Sequence, residues 1–396
     1  MAFVTATAWL ALAIWLYLMM FRGGFWRADQ RLPTPTPNPG SAPEIAVVVP
    51  ARDEADVIGV SLRSLIDQDY AGRLTVVLVN DHSRDATRDI AARVAGEHER
   101  SDRRIVVMDA VDLPPGWSGK LWAMAEGVAR AEELAPDAEY LLLTDADIAH
   151  APDNLRGLIA KAEAGRFDMV SLMVLLACER GWARLLVPAF VFFFQKLYPF
   201  PLVNNPARPE AGAAGGCMLV RRGALQRAGG IESIRTELID DCALGRRIKR
   251  FAQPGSGGIW LGLTDTTRSL RPYPGLADIW AMVRRTAYTQ LHYSTLLLAG
   301  TVVGMAVIYL APPVAAAVGL MVGDAGLAGA GLAAWLLMVA AFRPTLRLNG
   351  MPLYLAPLLP VAGLLYTAMT IDSAIQHWRG RSVTWKGRVY SPTADR

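Results

Sequence analysis

Cysteine is scarce in this 396-residue chain: Cys178, Cys217 and Cys242 stand far apart with no CxxC spacing, which argues against a disulfide framework and a thiolate zinc site. Charge is sparse as well. Charged residues make up 19% of the chain and hydrophobic residues 53%, and the mean hydropathy of +0.26 is too apolar for an ordinary soluble enzyme of this length. The net charge is only +4 and no basic cluster forms mid-chain, so nucleic acid is not an expected partner. Two glycine-rich phosphate loops are missing. The first strand-like run is followed by Ala51-Arg52-Asp53-Glu54-Ala55-Asp56 rather than GxGxxG, and Gly116-Trp117-Ser118-Gly119-Lys120-Leu121 lacks the Walker spacing. A dinucleotide site and an ATPase loop are therefore not expected.

Long apolar runs are present. Residues 2–21 carry no charge and Arg22, Arg27 and Arg31 follow directly, so residues 1–22 read as a transmembrane anchor with its N-terminus outside and residue 22 onward in the cytoplasm. The flanks lack the basic start and small-residue cleavage site of a removable signal. Residues 23–43 include the Pro-rich stretch LPTPTPNPGSAP, expected to be an extended linker spacing anchor from domain. Between Ser294 and Phe342 the one charged residue is Asp324, and 351–371 have none. Residues 293–375 are thus expected to hold at least three further hydrophobic segments, Pro312-Pro313 dividing the first. Residues 376–396 form a basic cytosolic tail with Arg379, Arg381, Lys386 and Arg388. Placing that tail inside leaves room for one broken or re-entrant segment.

The interval 44–292 alternates short β-branched runs with helical periodicity. EIAVVVP, LTVVLVND, RRIVVMD and YLLLTDAD read as strands, and helices are expected near 56–68 and 119–133. Continuous apolar strands joined by crossover helices predict an α/β, mostly parallel sheet, with ligand at the carboxyl ends of the strands. Carboxylates recur there: Asp53, Asp81, Asp145 with Asp147, and Asp240-Asp241. Asp145-Ala146-Asp147 ends an apolar run, and alternate residues at a frayed strand end turn two carboxylates toward one divalent ion that bridges a diphosphate.

Taken in order, VVPARDEA (48–55), VNDHSRDAT (79–87), TDAD (144–147), GGCMLVRR (215–222) and DDCALGRR (240–247) resemble the membrane-bound family 2 glycosyltransferases of GT-A fold, a Rossmann-like sheet. With GWSGKLWA (116–123), RRTAYTQL (284–291) and WKGRVY (385–390), the arrangement is most similar to the hopene-associated glycosyltransferases of hopanoid biosynthesis. The resemblance implies a bacterial inner-membrane, multi-pass enzyme whose catalytic domain faces the cytoplasm. It further implies an inverting transfer of one sugar from a nucleotide-sugar donor, expected to be a UDP-sugar, to a membrane lipid. Donor-binding roles then fall to Asp53, Glu54, Asp81, Lys120, Asp145 and Arg285, and Mg²⁺ or Mn²⁺ to Asp147 and Asp145. Asp241 is the expected base, with Asp240 where relatives carry Glu.

Polymer-forming relatives carry a Q/R-x-x-R-W motif; Met282-Val283-Arg284-Arg285-Thr286 lacks its Trp, which implies a non-processive reaction. Residues 185–203 are apolar and aromatic but interrupted by Pro188, Pro199 and Pro201, so they and 275–292 are expected to lie at the membrane surface and admit a lipid hydroxyl. A polyprenyl-phosphate acceptor would need no base. Two other classes stay open: a nucleotidylyltransferase, which would want a basic triphosphate loop after the first strand, and a non-catalytic membrane scaffold, which would not need the repeated acids.

Overall fold

The computed structural model describes residues 1–33, 36–98, 101–380, 383–385 and 388–390. Two compact units divide the chain. One comprises residues 29–177, 202–271 and 384–396; the other gathers 1–28, 178–201 and 272–383. The segments 185–203 and 275–292, expected as parts of the sheet domain, thus fall almost wholly within the helical unit.

The first unit is an eight-stranded mixed sheet of order β3-β2-β1-β4-β7-β6-β8-β5. Its strands are β1 (Ile45–Ala51), β2 (Leu74–Asn80), β3 (Arg103–Asp109), β4 (Tyr140–Leu143), β5 (Ile148–Ala149), β6 (Phe167–Leu175), β7 (Met218–Arg221) and β8 (Gly258–Ser269). The segment β3-β2-β1-β4 is parallel, as the apolar runs predict, and β7 is antiparallel to both β4 and β6. Every residue of β1 and β2 is buried, which fits strands covered on both faces. Helix Gly119–Leu134 packs on them. It lies close enough that a Cβ at Gly127 would run into Val48 and Val79. The expected strand 140–147 is shorter than its apolar run suggests. β4 stops at Leu143, because pairing with β7 ends at Met218 and the Thr144 hydroxyl then donates to the Gly216 carbonyl at 2.7 Å. The two acids of Asp145-Ala146-Asp147 accordingly sit on a turn.

The Pro-rich linker is not a free spacer. Gly40 N–H and the Ser41 hydroxyl donate to Glu163, Thr36 donates to Asp153, and a Cβ at Gly157 would touch Leu32 and Thr36. The linker therefore lies along helix Asn154–Gly165.

In the helical unit, Ala2–Phe21, Ala183–Val203, Thr295–Val322, Ala325–Leu348 and Leu353–Trp378 are long and apolar enough to cross a membrane. Pro312-Pro313 does not divide the run that contains it. Without their N–H groups the carbonyls four residues earlier lose their usual donors; the chain answers with a π turn at Ala306–Leu310, and Trp15 Nε1 donates to the Ile308 carbonyl at 2.8 Å. Gly323, at φ 72°, ends this helix, and the Asp324 carboxylate caps the next by accepting from Leu327 N–H at 3.0 Å.

Contacts at three levels trace the last apolar segment. The Asn349 carbonyl accepts from Cys178, the Pro357 carbonyl accepts from Trp335 Nε1 at 3.1 Å, and Asp372 and Ser373 bond Trp280, Arg284 and Tyr288. Of the expected tail, residues 376–378 still belong to helix Leu359–Trp378, and Val383–Trp385 pairs with Arg388–Tyr390. Arg381 and Lys386, and Lys386-Gly387 of the WKGRVY motif, lie outside the described residues.

The Trp15 bond yields a stability prediction. Trp15→Phe keeps most of the ring packing but leaves the Ile308 carbonyl without its donor, at a cost of about 1–3 kcal/mol. Thermal unfolding in detergent should show a lower midpoint than for Trp15→Phe combined with Pro312→Ala, which restores a backbone donor; equal midpoints would contradict this account.

Candidate active site

Of the acids expected at strand ends, Asp53, Asp81 and Asp145 follow the parallel strands β1, β2 and β4, whereas Asp240-Asp241 open helix Asp240–Arg250 instead of ending a strand. Immediately after β1, Asp53 adopts a left-handed φ of 49°, and after β2 so does His82 at 53°. Such conformations are uncommon outside glycine and cluster where side chains must be aimed. The two loops are cross-tied. Asp53 N–H donates to Ser83 Oγ at 3.0 Å, Arg84 N–H to Asp53 Oδ1 at 2.8 Å, and Glu54 N–H to Thr87 Oγ1 at 2.7 Å. Asp81 is 2% exposed. The equally buried Arg52 donates to its carbonyl at 2.6 Å and lies 3.7 Å from its carboxylate.

The centre of the arrangement is Lys120. Ser118 caps helix Gly119–Leu134, accepting from Leu121 N–H at 3.3 Å, and so fixes Lys120 in the first turn. Its ammonium lies 2.9 Å from Asp145 Oδ1 and 3.0 Å from Asp240 Oδ2. One cation thus joins the turn after β4 to the start of helix Asp240–Arg250. Burial works against the ammonium, but the two carboxylates outweigh it and its pKa rises above the usual lysine value. Desolvation and the like charge of Asp147 raise the Asp145 pKa above its ordinary range, with Lys120 opposing the shift.

Asp241 is held differently. Its Oδ2 accepts from Gly215 N–H at 2.9 Å and its Oδ1 from Cys242 N–H at 2.7 Å. Burial first, then the neighbouring Asp240, push its pKa up to about 6, against the pull of Lys120 and the two backbone donors. A carboxylate with a pKa near 6 is suited to accept a proton at neutral pH.

Asp147 turns away from this cluster. Its Oδ2 accepts from Arg271 Nε at 3.0 Å and from Ser269 Oγ at 3.2 Å, while Arg271 Nη2 reaches Glu54 Oε1 at 3.1 Å. Asp145 and Asp147 therefore answer to different cations. Among the described residues no three Asp, Glu, His or Cys side chains gather as a ready-made metal cage. Two carboxylates on one turn nevertheless fit the donor set of Mg²⁺ or Mn²⁺ when substrate phosphates and water complete the shell. Seven carboxylates (Asp53, Glu54, Asp81, Asp145, Asp147, Asp240, Asp241) against Arg52, Lys120 and Arg271 leave an acid excess that attracts a cation.

A buried chain positions the acid turn. Asn154 Nδ2 donates to His150 Nδ1 and His150 Nε2 to Thr144 Oγ1, each at 3.0 Å, and Thr144 donates to Gly216. Burial pushes the His150 pKa down to about 3, so the ring stays neutral in this relay. Sequence reasoning did not single out Arg271, Ser269, His150 or Gly215; the GGC motif offered a signal for Gly215, whereas the others carry none. Arg285 belongs to the helical unit, exposed on helix Leu276–Thr286, and has no ion pair among the described residues. All three cysteines are free and buried, and burial pushes the Cys217 thiol up to about 12, so it is inert.

This sheet, parallel on one side of β4 and antiparallel on the other, defines an α/β domain with acids at the edge where such sheets take their ligands. Residues 46–229 match the family model for glycosyl transferase family 2, so the chain carries a family 2 glycosyltransferase domain. Its fold is similar to that of the mannosyltransferase PcManGT from Pyrobaculum calidifontis, solved with GDP-mannose and Mn²⁺, at a TM-score of 0.51 and 18% identity, covering 95% of this chain and 99% of that one. TarS 1–349 of S. aureus, solved with UDP-GlcNAc, gives 0.39 and 15% over 88% of this chain and 96% of that one. In sequence, "Probable glycosyltransferase YdaM" of Bacillus subtilis (strain 168) is 28% identical over 144 residues, 35% of this chain; the match spans 31% of that relative's length. The fold is thus GT-A-like, a mixed, mostly parallel α/β sheet.

Removing the central cation should be costly. Lys120→Met leaves two half-buried carboxylates facing each other, a loss of about 1–3 kcal/mol at pH 8. The loss should shrink toward pH 5, because Asp145, whose folded-state pKa is raised, relieves the repulsion on protonation. Thermal unfolding across that range checks both size and slope; a loss independent of pH would refute the charge account.

Proposed function

We propose that the protein is an inverting, metal-dependent and non-processive glycosyltransferase that moves one sugar from a nucleotide-sugar to a membrane lipid hydroxyl. The observation that carries this reading is the Lys120 ammonium shared by Asp145 and Asp240, with Asp241 beside it on Gly215 N–H. A diphosphate-facing acid turn and a candidate base are thereby tied together. Asp241 takes the proton of the acceptor hydroxyl as its oxygen attacks the anomeric carbon. Lys120 and Arg271 pair with the nucleoside diphosphate leaving from the opposite face. Mg²⁺ or Mn²⁺, held by Asp147 and Asp145, would supply further positive charge to that leaving group. Asp53 and Asp81 face the nucleoside. Uracil and guanine both offer ring N–H groups to a carboxylate, so UDP remains the expected carrier, and the GDP-mannose of PcManGT makes GDP the nearest rival. A hopanoid is the proposed acceptor, and a polyprenyl phosphate the alternative.

The sheet supports a reading in which 183–203 enters and leaves on the cytoplasmic side without crossing. Strands β4 and β6 precede that segment and β7 follows it, yet they pair in one sheet, so both flanks share one side of the bilayer. The last apolar segment reads as re-entrant. It leaves the level of Asn349, reaches that of Trp335, about 20 Å up its helix at 1.5 Å per residue, and returns to residues 280–288. With three crossings, by Ala2–Phe21, Thr295–Val322 and Ala325–Leu348, the N-terminus would lie outside and the tail inside, an orientation that Arg22 and Arg27 support.

Inverted membrane vesicles given a panel of radiolabelled UDP- and GDP-sugars should form a labelled lipid, identified by mass spectrometry. EDTA should stop the reaction and Mn²⁺ or Mg²⁺ restore it. Sealed right-side-out vesicles should be inactive. Transfer that survives EDTA would sink the metal role, and transfer from the outer face would sink the orientation.

The base has its own test. Asp241→Asn should lower kcat about 10²–10⁴-fold with donor affinity little changed. In the wild type kcat/KM should fall as pH drops through about 6, because Asp241 loses its ionised form there. Asp240→Asn should move that limb to lower pH by removing a like charge. If Asp241→Asn stays active while Asp240→Asn fails, the base is Asp240; if both turn over normally, the acceptor is an already ionised lipid phosphate.

A further inference from the structure

Lys196 lies on helix Ala183–Leu197 of the helical unit, and its side chain runs against expectation. A lysine at a membrane surface ordinarily extends toward the headgroups. This one points to Tyr309, midway along the 28-residue helix Thr295–Val322. Its Nζ donates to the Tyr309 hydroxyl at 2.9 Å and stands 4.7 Å from the Tyr309 ring centroid and 5.6 Å from that of Phe193. Tyr309 is fully buried, edge-on to Trp15 and Phe193. A second cation shares the corner: Arg22 Nη2 donates to the Lys196 carbonyl at 3.4 Å. Neither Lys196 nor Arg22 has a carboxylate within ion-pair distance among the described residues.

A charge in apolar surroundings is costly and is retained where it meets a counter-ion or does work. The aromatic faces offset part of that cost, and the donors remain. The ammonium carries three N–H groups and spends one on Tyr309; the Tyr309 hydroxyl, accepting from Lys196, donates its own proton to no protein atom among the described residues. Two N–H groups and one O–H therefore converge where protein supplies no anion. Lys196 keeps partial exposure, which gives a ligand a way in.

We propose that Lys196, Tyr309 and Arg22 form a binding site for a lipid-borne phosphate, an anionic headgroup drawn between the helices from the cytoplasmic leaflet. Basic pockets between helices on that side are suited to such headgroups. The site rests on these helices being bilayer-embedded and is independent of sugar transfer.

Native mass spectrometry of the full chain, reconstituted in phosphatidylcholine nanodiscs containing either phosphatidylglycerol or farnesyl phosphate, tests the proposal. The wild type should retain about one anionic lipid per chain. Lys196→Met should retain at least about tenfold less, Lys196→Arg should keep it, and Arg22→Gln should weaken it severalfold. Retention from the phosphatidylglycerol discs would identify a bulk phospholipid, and retention from the farnesyl phosphate discs alone a phosphorylated prenyl lipid. Thermal unfolding of Lys196→Met should match or exceed the wild type, since an unpaired charge has been removed. Equal lipid retention by Lys196→Met and wild type would overturn the site, as would a loss of stability with lipid retention unchanged. Extraction of the protein from membranes by alkaline carbonate would instead overturn the bilayer reading, and the site with it.

Discussion

The arrangement of the sheet unit depends on one ammonium group shared by two carboxylates. Lys120 reaches Asp145 on the turn after β4 and Asp240 at the start of helix Asp240–Arg250, segments far apart in the chain. Without the cation, two carboxylates in a half-buried cleft would repel each other, and neither the turn nor the helix start would have reason to stay at that distance. With it, Asp241 is left one residue along, oriented by one N–H on each oxygen, from Gly215 and Cys242, with a lone pair on each still free to accept a proton. The same electrostatics that close the cleft also tune it. Asp145 and Asp241 are pushed above ordinary carboxylate values by burial and by their acidic neighbours, and Lys120 limits the shift.

Around this centre, rigidity comes from neutral hydrogen bonds rather than from further charge. The Asn154–His150–Thr144–Gly216 chain fixes the end of β4 through three buried side chains, each hydrogen-bonded to the next, and the Gly216 carbonyl. A neutral histidine serves here because a charged one would have to be desolvated. Arg271 performs the complementary task on the open side, holding Asp147 and Glu54 with one guanidinium. Because Arg271 is 41% exposed, that clamp is weaker than a buried pair of the same geometry.

The helical unit meets a different constraint. In lipid each backbone carbonyl must find a donor within the protein. The proline pair at 312–313 breaks that rule, and the π turn with Trp15 repairs it. Hydrophobic side chains face outward: Phe3 and Leu296 are 84% and 82% exposed, as lipid-facing residues would be. Lys196 stands out against this background as a cation directed inward.

The sequence by itself determined the parallel core, since strands buried on both faces must read as unbroken apolar runs, and β1, β2 and β3 lie within a residue of their expected bounds. It also marked Asp53, Asp81, Asp145 and Asp147, because acids directly after apolar strands lie at a sheet's ligand edge; Asp240 and Asp241 were marked too, but they open a helix rather than follow a strand. Only the tertiary structure decided which cation serves which acid. Lys120 serves Asp145 and Arg271 serves Asp147, a division that spacing along a turn cannot reveal, because the partners arrive from 25 residues before and 124 after. Arg271 and His150 carry no motif; their roles follow from what the fold sets beside them. The proline pair read as a break because local rules count lost backbone donors, whereas a tryptophan from a helix 293 residues away in sequence replaces one of them. Local chemistry fixes strands, caps and acids; the pairing of charges and the repair of broken hydrogen bonds depend on long-range neighbours that only folding supplies.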